Sequence, residues 1–187
     1  MKEAFFEPLL RKRRIARILQ ALGPLPCGRL LDIGCGRDHH LLEALAPLIV
    51  SSIGIDGKVE EVTRENYETR QMTIADQIPF PDGSFDVVTM LAVLEHLSNP
   101  EVVLGEIDRV LKADGRLLLT VPSRLAKPIL EFLAFQLHLV STEEIADHKK
   151  YYTKGDLTDL LGGTSLQLTR HCYFQGGLNN FCIAVKK

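Results

Sequence analysis

Short apolar runs alternate with stretches of helical spacing along the first two thirds of the chain, and this alternation restricts the fold more than any other feature. Five runs rich in leucine or β-branched residues predict buried strands, and they span residues 29–33, 51–56, 69–74, 85–90 and 116–121. Strands separated by helices at this spacing favour right-handed crossovers and a parallel sheet. The nearly continuous apolar runs agree, because parallel strands are usually covered on both faces.

Helices are predicted between these strands, and an antiparallel hairpin is predicted after them. The segments with helical spacing are 39–46, a polar stretch at 58–66, an amphipathic stretch at 100–111, and 154–161. A turn is predicted at residues 113–115. Two extended runs, 165–174 and 179–185, flank a pair of glycines and predict the terminal hairpin.

The composition is that of one globular domain. The chain has 187 residues, of which 45% are hydrophobic and 25% charged, so it can bury a core. We interpret residues 1–187 as a single domain, with an N-terminal helical segment at 1–28 and a helical, lid-like insert at 123–152. The net charge of -2 produces no basic field for nucleic acid. No run resembles a signal peptide or a bilayer span, so a cytoplasmic location is expected. The expected oligomeric state is a monomer or a homodimer.

No metal site is predicted from the cysteines. The chain has four, at Cys27, Cys35, Cys172 and Cys182, and none forms a CxxC pair. His39 and His40 follow Cys35 closely, but zinc sites usually need a second close pair of ligands. Reduced thiols are the simpler interpretation.

The junction between the first predicted strand and helix is the most informative stretch. Gly34 and Gly36 let the backbone turn sharply there and approach a ligand. In a dinucleotide-binding fingerprint a third glycine would occupy position 39, which is His39. Asp32, just before the glycines, suits a cationic ligand better than a diphosphate.

Acidic residues also follow the second and third predicted strands. Asp56 can accept both hydroxyls of a ribose, and its alternative role is to cap a helix starting near Gly57. Asp76 can accept the exocyclic amine of adenine, and its alternative role is that of an acid in a surface turn. Both positions lie at the edge of the sheet where ligands bind.

Several motifs together resemble the class I S-adenosylmethionine-dependent methyltransferases, in particular the group that methylates ubiquinone, menaquinone and small metabolites. The motifs are LLDIGCG, GID, AD-x-IPFPDGSFDVV, LEHL and RVLKADGRLLLTVPS, between residues 29 and 123. The resemblance implies a Rossmann-like α/β fold with helices on both faces. Its sheet is seven-stranded and mostly parallel, with a C-terminal antiparallel hairpin.

The resemblance also implies a cofactor site for S-adenosylmethionine and its product S-adenosylhomocysteine. Asp32, Gly34 and Gly36 would surround the methionine part, and Asp56 would bind the ribose. The other implied contacts are Gly57, Lys58, Asp76 and Gln77 near the adenine, and Leu91 near the sulfonium. Many family members have a third glycine where this chain has Asp38, which we interpret as an acid in the first turn of the helix.

The catalytic residues are not evident from the sequence, because positioning alone accelerates methyl transfer. His96 and His148 are candidates for proton transfer, and the resemblance also allows a structural role for the Glu95-His96 pair. His148, Tyr151 and Tyr152 are candidates for contact with the acceptor. The alternative is a surface loop in which Thr153 caps the following helix.

Two amphiphilic segments indicate a small-molecule or lipid-like acceptor. Residues 125–140 are apolar almost all round, which predicts a lid, a dimer contact or a lipid-facing surface. The basic run 11–14 lies on a helix with an apolar face, which is either solvated or in contact with a membrane surface.

The leading hypothesis is a methyltransferase for such an acceptor, and the alternative is a non-catalytic module that binds S-adenosylmethionine or S-adenosylhomocysteine and acts through partners. A nicotinamide-dependent oxidoreductase is disfavoured by His39 and Asp32. The sequence motifs report cofactor binding, so they do not separate the first two hypotheses.

Overall fold

The computed structural model describes residues 7–23, 27–74, 77–136 and 139–187. Within these ranges the strands are β1 (Cys27–Ile33), β2 (Ile49–Asp56), β3 (Tyr67–Gln71), β4 (Phe85–Leu91), β5 (Leu111–Pro122), β6 (Leu166–Phe174) and β7 (Asn179–Lys186). The helices are α1 (Glu7–Leu22), α2 (His40–Leu45), α3 (Pro100–Val110), α4 (Ala126–Phe135), α5 (Thr142–Ala146) and α6 (Lys154–Leu161). Short 3-10 helices cover Ala46–Leu48 and Leu94–His96.

The strands form one seven-stranded sheet in the order β3-β2-β1-β4-β5-β7-β6. β1 to β5 are parallel, and β7 runs antiparallel to both β5 and β6. The predicted Rossmann-like fold class is confirmed. The strand order reverses between β1 and β4, and open α/β sheets bind ligands at such a switch point, beyond the carboxyl ends of the strands.

Side chains alternate across the sheet and build a core on each face. In β1, Leu31 and Ile33 belong to one core and Leu30 belongs to the other, and all three are fully buried. Side chains of α3 and α6 cover the first face, and side chains of α1 and α2 cover the second. This covering of both faces is what nearly continuous apolar strands predict.

The helix predicted at residues 58–66 is wrong, because the connection from β2 to β3 is irregular backbone. The Thr69 hydroxyl donates to the Glu60 carbonyl at 2.6 Å and accepts from the Val62 amide at 2.9 Å. The Thr69 amide donates in turn to the Val62 carbonyl at 2.9 Å. These bonds hold the segment against β3, and its β-branched residues suit that conformation better than a helix.

The turn predicted at residues 113–115 lies inside β5 rather than before it. The register between β4 and β5 shifts between Phe85 and Val87, opposite this segment. Asp114 has a φ of 61° there, a left-handed conformation that aspartate adopts more readily than most residues. The turn signal therefore marks a bulge in a strand.

The insert at residues 123–152 contains α4, α5 and a loop that returns to the sheet. The helix predicted over 125–140 ends at Phe135, and residues 137–138 lie outside the described ranges. Large apolar side chains are exposed on α4 and in the turn before it: Leu125, Ile129, Phe132 and Phe135. In the described ranges, no helix combines the length and the hydropathy that a membrane span requires.

Candidate functional site

The turn after β1 depends on glycine backbone conformations. Gly34 and Gly36 have φ values of 74° and 72°, in the left-handed region that favours glycine. The amides of Gly34 and Cys35 both donate to the Ile55 carbonyl of β2, at 2.8 and 3.2 Å. A Cβ on Gly34 would lie 2.2 Å from Cγ2 of Val93, whereas one on Gly36 would meet open space. The turn is therefore tightly packed on one side and open on the other, as a ligand-binding loop requires.

Asp56, at the end of β2, anchors this turn. Its Oδ2 accepts from the Gly36 amide at 3.1 Å, and its Oδ1 accepts from the Lys58 amide at 2.8 Å. The alternative role of Asp56 as a helix cap is wrong, because residues 57–66 contain no helix. Each carboxylate oxygen can accept a second hydrogen bond. The half-buried side chain can therefore hold the loop and still accept bonds from two hydroxyl groups.

Asp32, near the end of β1, is 2% exposed. Its Oδ1 accepts from the Thr89 hydroxyl of β4 at 2.6 Å, across the switch point. Burial raises the pKa of this carboxyl to about 7, while the bond from Thr89 opposes the shift and the nearby Asp56 adds to it. A cationic ligand beside the carboxyl would favour its ionised form.

The structure describes all but one of the other predicted cofactor residues. Gly57 and Lys58 form the exposed turn that follows β2, and Leu91 is half-buried at the end of β4. Gln77 is exposed, and Asp76 lies outside the described residues. The contacts assigned to the adenine therefore stay predictions.

Asp38 and His39 stand where the methyltransferase family and the dinucleotide-binding fingerprint, respectively, have a third glycine. Both residues precede α2. Asp38 is exposed and lies two residues before the helix, so its predicted place in the first turn is wrong. His39 is the N-cap of α2 and has a φ of 39°. Its ring packs against Tyr67, with centroids 5.6 Å apart. His39 therefore has a packing role at the back of the turn.

A second group of predicted residues meets just beyond β4. His96, in the 3-10 helix after β4, and His148, in the loop after α5, have ring centroids 4.9 Å apart. His96 Nδ1 lies 2.9 Å from Asp147 Oδ2, and His148 Nδ1 lies 3.1 Å from the Tyr151 hydroxyl. Glu95 Oε1 lies 4.0 Å from His148 Nε2. The two histidines predicted separately thus share one site.

Glu95 and Asp147 are the members of this group to which sequence reasoning assigns no role. Each directly precedes a histidine, so the group consists of two acid–histidine pairs, at 95–96 and 147–148. The Lys149 amide donates to the Glu95 carbonyl at 2.8 Å and joins the two segments. The repeated acid–histidine pair is the signal that could have found the group.

The two candidate tyrosines have different environments. Tyr151 is half-buried, and its ring centroid lies 5.3 Å from that of His148. Tyr152 is 1% exposed, and its hydroxyl donates to the Leu94 carbonyl at 3.5 Å. Thr153 caps α6 through a capping box, as the alternative interpretation expected. Tyr151 is accessible to an acceptor, whereas acceptor contact by Tyr152 stays a prediction that requires the loop to move.

Burial sets the protonation states of His148 and Tyr151. It lowers the pKa of His148 to about 4, and the neighbouring His96 adds to the shift while Asp147 opposes it. Burial also raises the pKa of Tyr151 to about 12. Both rings are therefore neutral at pH 7. An imidazole of such low pKa accepts protons weakly, so His148 is better suited to holding a ligand than to acting as a general base.

A cleft of about 700 Å³ opens beside this group, between α4, α5 and the loop of residues 148–151. Its volume is that of a small-molecule site. The cations that line it are Arg124, Lys127, Lys149 and Lys150. One acid, Glu131, also lines it, and the remainder of the lining includes Phe135, Ile145, His148 and Tyr151. The cleft thus offers both cationic and apolar contacts.

A parallel sheet with a glycine turn and two acids at its switch point defines a domain suited to a nucleoside cofactor with a cationic end. Residues 9–171 match a family model described as a methyltransferase domain. The chain belongs to this family, the class I S-adenosylmethionine-dependent methyltransferases, and the resemblance drawn from its motifs is confirmed.

Relatives of this chain include several named methyltransferases. It is 37% identical over 113 residues to the uncharacterized methyltransferase YcgJ of Bacillus subtilis (strain 168), a match covering 55% of this chain and 44% of that protein. It is 31% identical over 155 residues to a ubiquinone biosynthesis O-methyltransferase of Glaesserella parasuis serovar 5 (strain SH0165), covering 75% and 63%. It is 33% identical over 117 residues to the 27-O-demethylrifamycin SV methyltransferase of Amycolatopsis mediterranei (strain S699), covering 57% and 43%. These matches span between 43% and 63% of the length of the three relatives.

Solved structures share the fold over nearly the whole chain. The YcgJ protein of Bacillus subtilis superposes with a TM-score of 0.69 at 20% identity, covering 94% of this chain and 99% of that one. The magnesium protoporphyrin IX methyltransferase of Synechocystis PCC 6803, solved with bound S-adenosylhomocysteine, gives a TM-score of 0.65 at 16% identity, covering 94% and 81%. At these identities the likeness establishes the fold.

Proposed function

We propose that this chain binds S-adenosylmethionine at the switch point between β1 and β4 and transfers its methyl group to a small molecule that binds in the cleft between α4, α5 and the loop of residues 148–151. The observation that carries the proposal is the turn of Gly34 and Gly36, which Asp56 ties to the end of β2 and which is open at Gly36. Membership of a methyltransferase family supports the same cofactor. The bound cofactor supplies the activated methyl group, and the protein positions the two partners.

The residues around the turn fit the parts of this cofactor. Asp32 and the two glycines would hold the cationic methionine end, and Asp56 would accept hydrogen bonds from the ribose hydroxyls. The remaining proposed contacts are Gly57, Lys58, Asp76 and Gln77 with the adenine, and Leu91 near the sulfonium. The buried carboxyl of Asp32, with its raised pKa, supports a cationic group at this position.

We assign the acceptor to the cleft, which is lined entirely by residues of the lid-like insert at 123–152. The cations of the cleft favour an acceptor with an anionic group, and Phe135 and Ile145 favour an apolar portion beside it. The names of the relatives in ubiquinone biosynthesis and of the rifamycin enzyme support methylation of a small molecule at oxygen. Membrane-surface contact by α1, cytoplasmic localisation and oligomeric state stay predictions.

Two measurements distinguish a methyltransferase from a module that only binds the cofactor. Calorimetry with S-adenosylmethionine and S-adenosylhomocysteine tests the cofactor site. Release of S-adenosylhomocysteine with a panel of phenolic, carboxylate-bearing and amine acceptors tests the transfer. Binding without release across the panel would favour the non-catalytic module. Absence of heat with both ligands, from folded protein that does bind a nicotinamide dinucleotide, would contradict both hypotheses.

His148→Ala should lower turnover with a working acceptor by about 100-fold, because the ring lines the cleft and holds the Tyr151 hydroxyl. Affinity for S-adenosylhomocysteine should not change, because the histidine is not part of the glycine turn. His171→Ala is the matched control, since that histidine bonds Asn180 in the terminal hairpin. Wild-type turnover in the His148 variant would remove the proposed role.

Affinity for S-adenosylmethionine should rise about fivefold from pH 6 to pH 7, as expected for a cation that binds beside a carboxyl with a pKa of about 7. Below that pH, the cation must displace the proton of Asp32. By the same linkage the cofactor-free fold loses stability from about pH 4 to about pH 7, because the unfolded chain holds this proton less tightly. Calorimetry across the range measures the affinity.

Asp32→Asn is the control for this pH dependence. The amide has nearly the shape of the carboxyl but does not ionise, so the variant should bind S-adenosylmethionine weakly and equally at pH 6 and pH 7. A flat profile in the wild-type protein, or an unchanged slope in the variant, would show that the carboxyl does not face the cation.

A further inference from the structure

Glu95, His96 and His148 place three potential metal ligands together beside the cleft, and we name them the Glu95–His96–His148 cluster. One ligand-capable atom from each lies within 4.8 Å of the corresponding atoms of the others. The side chains of Glu95 and His148 are 1% and 6% exposed, and that of His96 is 26% exposed. The cluster is therefore mostly buried and opens to solvent on one side.

A second layer of hydrogen bonds orients both imidazoles. Asp147 Oδ2 lies 2.9 Å from His96 Nδ1, and the Tyr151 hydroxyl lies 3.1 Å from His148 Nδ1. Both Nδ1 atoms are thus engaged, which leaves Nε2 of each ring as the ligand atom. Histidines that bind metals almost always bond a carboxylate, a carbonyl or water through the other ring nitrogen. His96 with Asp147 has this arrangement.

The separations suit a small cation after a minor adjustment. His148 Nε2 and Glu95 Oε1 are 4.0 Å apart. Bonds of about 2.1 Å in a tetrahedral site place ligand atoms about 3.4 Å apart. The ligand atoms of the cluster lie within 4.8 Å of one another, so side-chain movements that shorten each separation by about 1.4 Å or less would close the site. The backbone bond from Lys149 to Glu95 already holds the two segments together.

We propose that the Glu95–His96–His148 cluster binds a divalent transition-metal ion. Two imidazoles and one carboxylate favour Zn²⁺, Fe²⁺, Co²⁺ or Ni²⁺ over Mg²⁺ and Ca²⁺, which prefer oxygen ligands. Three protein ligands leave at least one position on the metal open. His148 also lines the cleft, so a bound ion would lie beside the space assigned to the acceptor.

The metal would act as a Lewis acid beside the cleft, which the side chains of the cleft do not do. This role in acceptor binding rests on the proposed function. A hydroxyl bound to the open position would ionise at lower pH than in water. The site would therefore prefer acceptors that present a hydroxyl or carboxylate oxygen to the metal. This preference agrees with the cationic lining of the cleft.

Titration of chelator-stripped protein with Co²⁺ tests the site without cofactor or acceptor. The wild type should bind one equivalent tightly and develop visible d–d absorption, without the thiolate charge-transfer band that a cysteine ligand would produce. His148→Ala and His96→Ala should each weaken this binding at least 100-fold. His171→Ala, which alters a histidine bonded to Asn180, should bind Co²⁺ as the wild type does.

Asp147→Asn provides a variant whose folding is at little risk, because the Asp147 side chain is 64% exposed. Loss of this outer partner of His96 should weaken Co²⁺ binding by about 10–100-fold. Equal Co²⁺ binding by the wild type and the histidine variants, or absence of binding by folded wild type, would overturn the metal site. Calorimetry of S-adenosylhomocysteine on the stripped protein reports the cofactor site separately, so a failure there would count against the proposed function alone.

Discussion

Gly34→Ala is expected to weaken binding of S-adenosylmethionine more than 100-fold. The new methyl group would lie 2.2 Å from Cγ2 of Val93, and the backbone would have to keep a φ of 74°. The left-handed conformation costs an alanine about 1–2 kcal/mol. Overpacking of this kind costs about 1–3 kcal/mol more. The turn should therefore move away from the position in which Asp56 holds it, and calorimetry measures the resulting loss of affinity.

Two variants separate the clash from the backbone strain. Gly83→Ala has the same kind of strain, with a φ of 59° and open space around the new methyl group, but it lies in the loop before β4. It should lower the melting temperature modestly and leave cofactor affinity unchanged. Adding Val93→Ala to Gly34→Ala should restore part of the affinity, because it removes the atom in conflict. Near-wild-type affinity in the single Gly34 variant would contradict this account of the turn.

The parts of the fold that the sequence predicts correctly depend on short-range signals. Strand β4, helix α6 and the hairpin around Gly176 have strong local patterns: β-branched runs, a capping threonine, and glycines with φ values of 70° and 91°. The glycine turn is predicted from a local signal as well, since two glycines at the junction of a strand and a helix let the backbone turn sharply. Its tie to Asp56 joins residues that are 20 positions apart, and local pattern alone does not show it.

The features that the sequence does not predict correctly depend on partners that are distant in sequence or specific in geometry. Residues 58–66 have the polar composition of a solvent-exposed helix. Their backbone forms hydrogen bonds with the hydroxyl and the amide of Thr69 instead of helical hydrogen bonds. The Glu95–His96–His148 cluster joins segments more than 50 residues apart. The acid–histidine pairs at 95–96 and 147–148 are visible in the sequence, but the parallel order of β4 and β5 is what brings them to one edge of the sheet.

Asp56 has two functions that one substitution would remove together. It accepts from the amides of Gly36 and Lys58, which shapes the turn, and we propose that it also accepts from the ribose hydroxyls. A loss of affinity in Asp56→Ala would therefore not distinguish a collapsed turn from a lost ribose contact. The distinction requires a ligand that lacks one hydroxyl.

Asp56→Asn combined with such a ligand makes this distinction. The amide keeps one acceptor oxygen, so it can retain one of the two backbone bonds while losing the charge. Hydrogen bonds to a charged group are worth about 1.5–3 kcal/mol, so the variant should bind S-adenosylhomocysteine about 10–150-fold more weakly. The wild type should bind the 2′-deoxy analogue at least tenfold more weakly than S-adenosylhomocysteine, and the variant should hardly discriminate between the two. If the variant discriminates as strongly as the wild type, the carboxylate shapes the turn but does not contact the ribose.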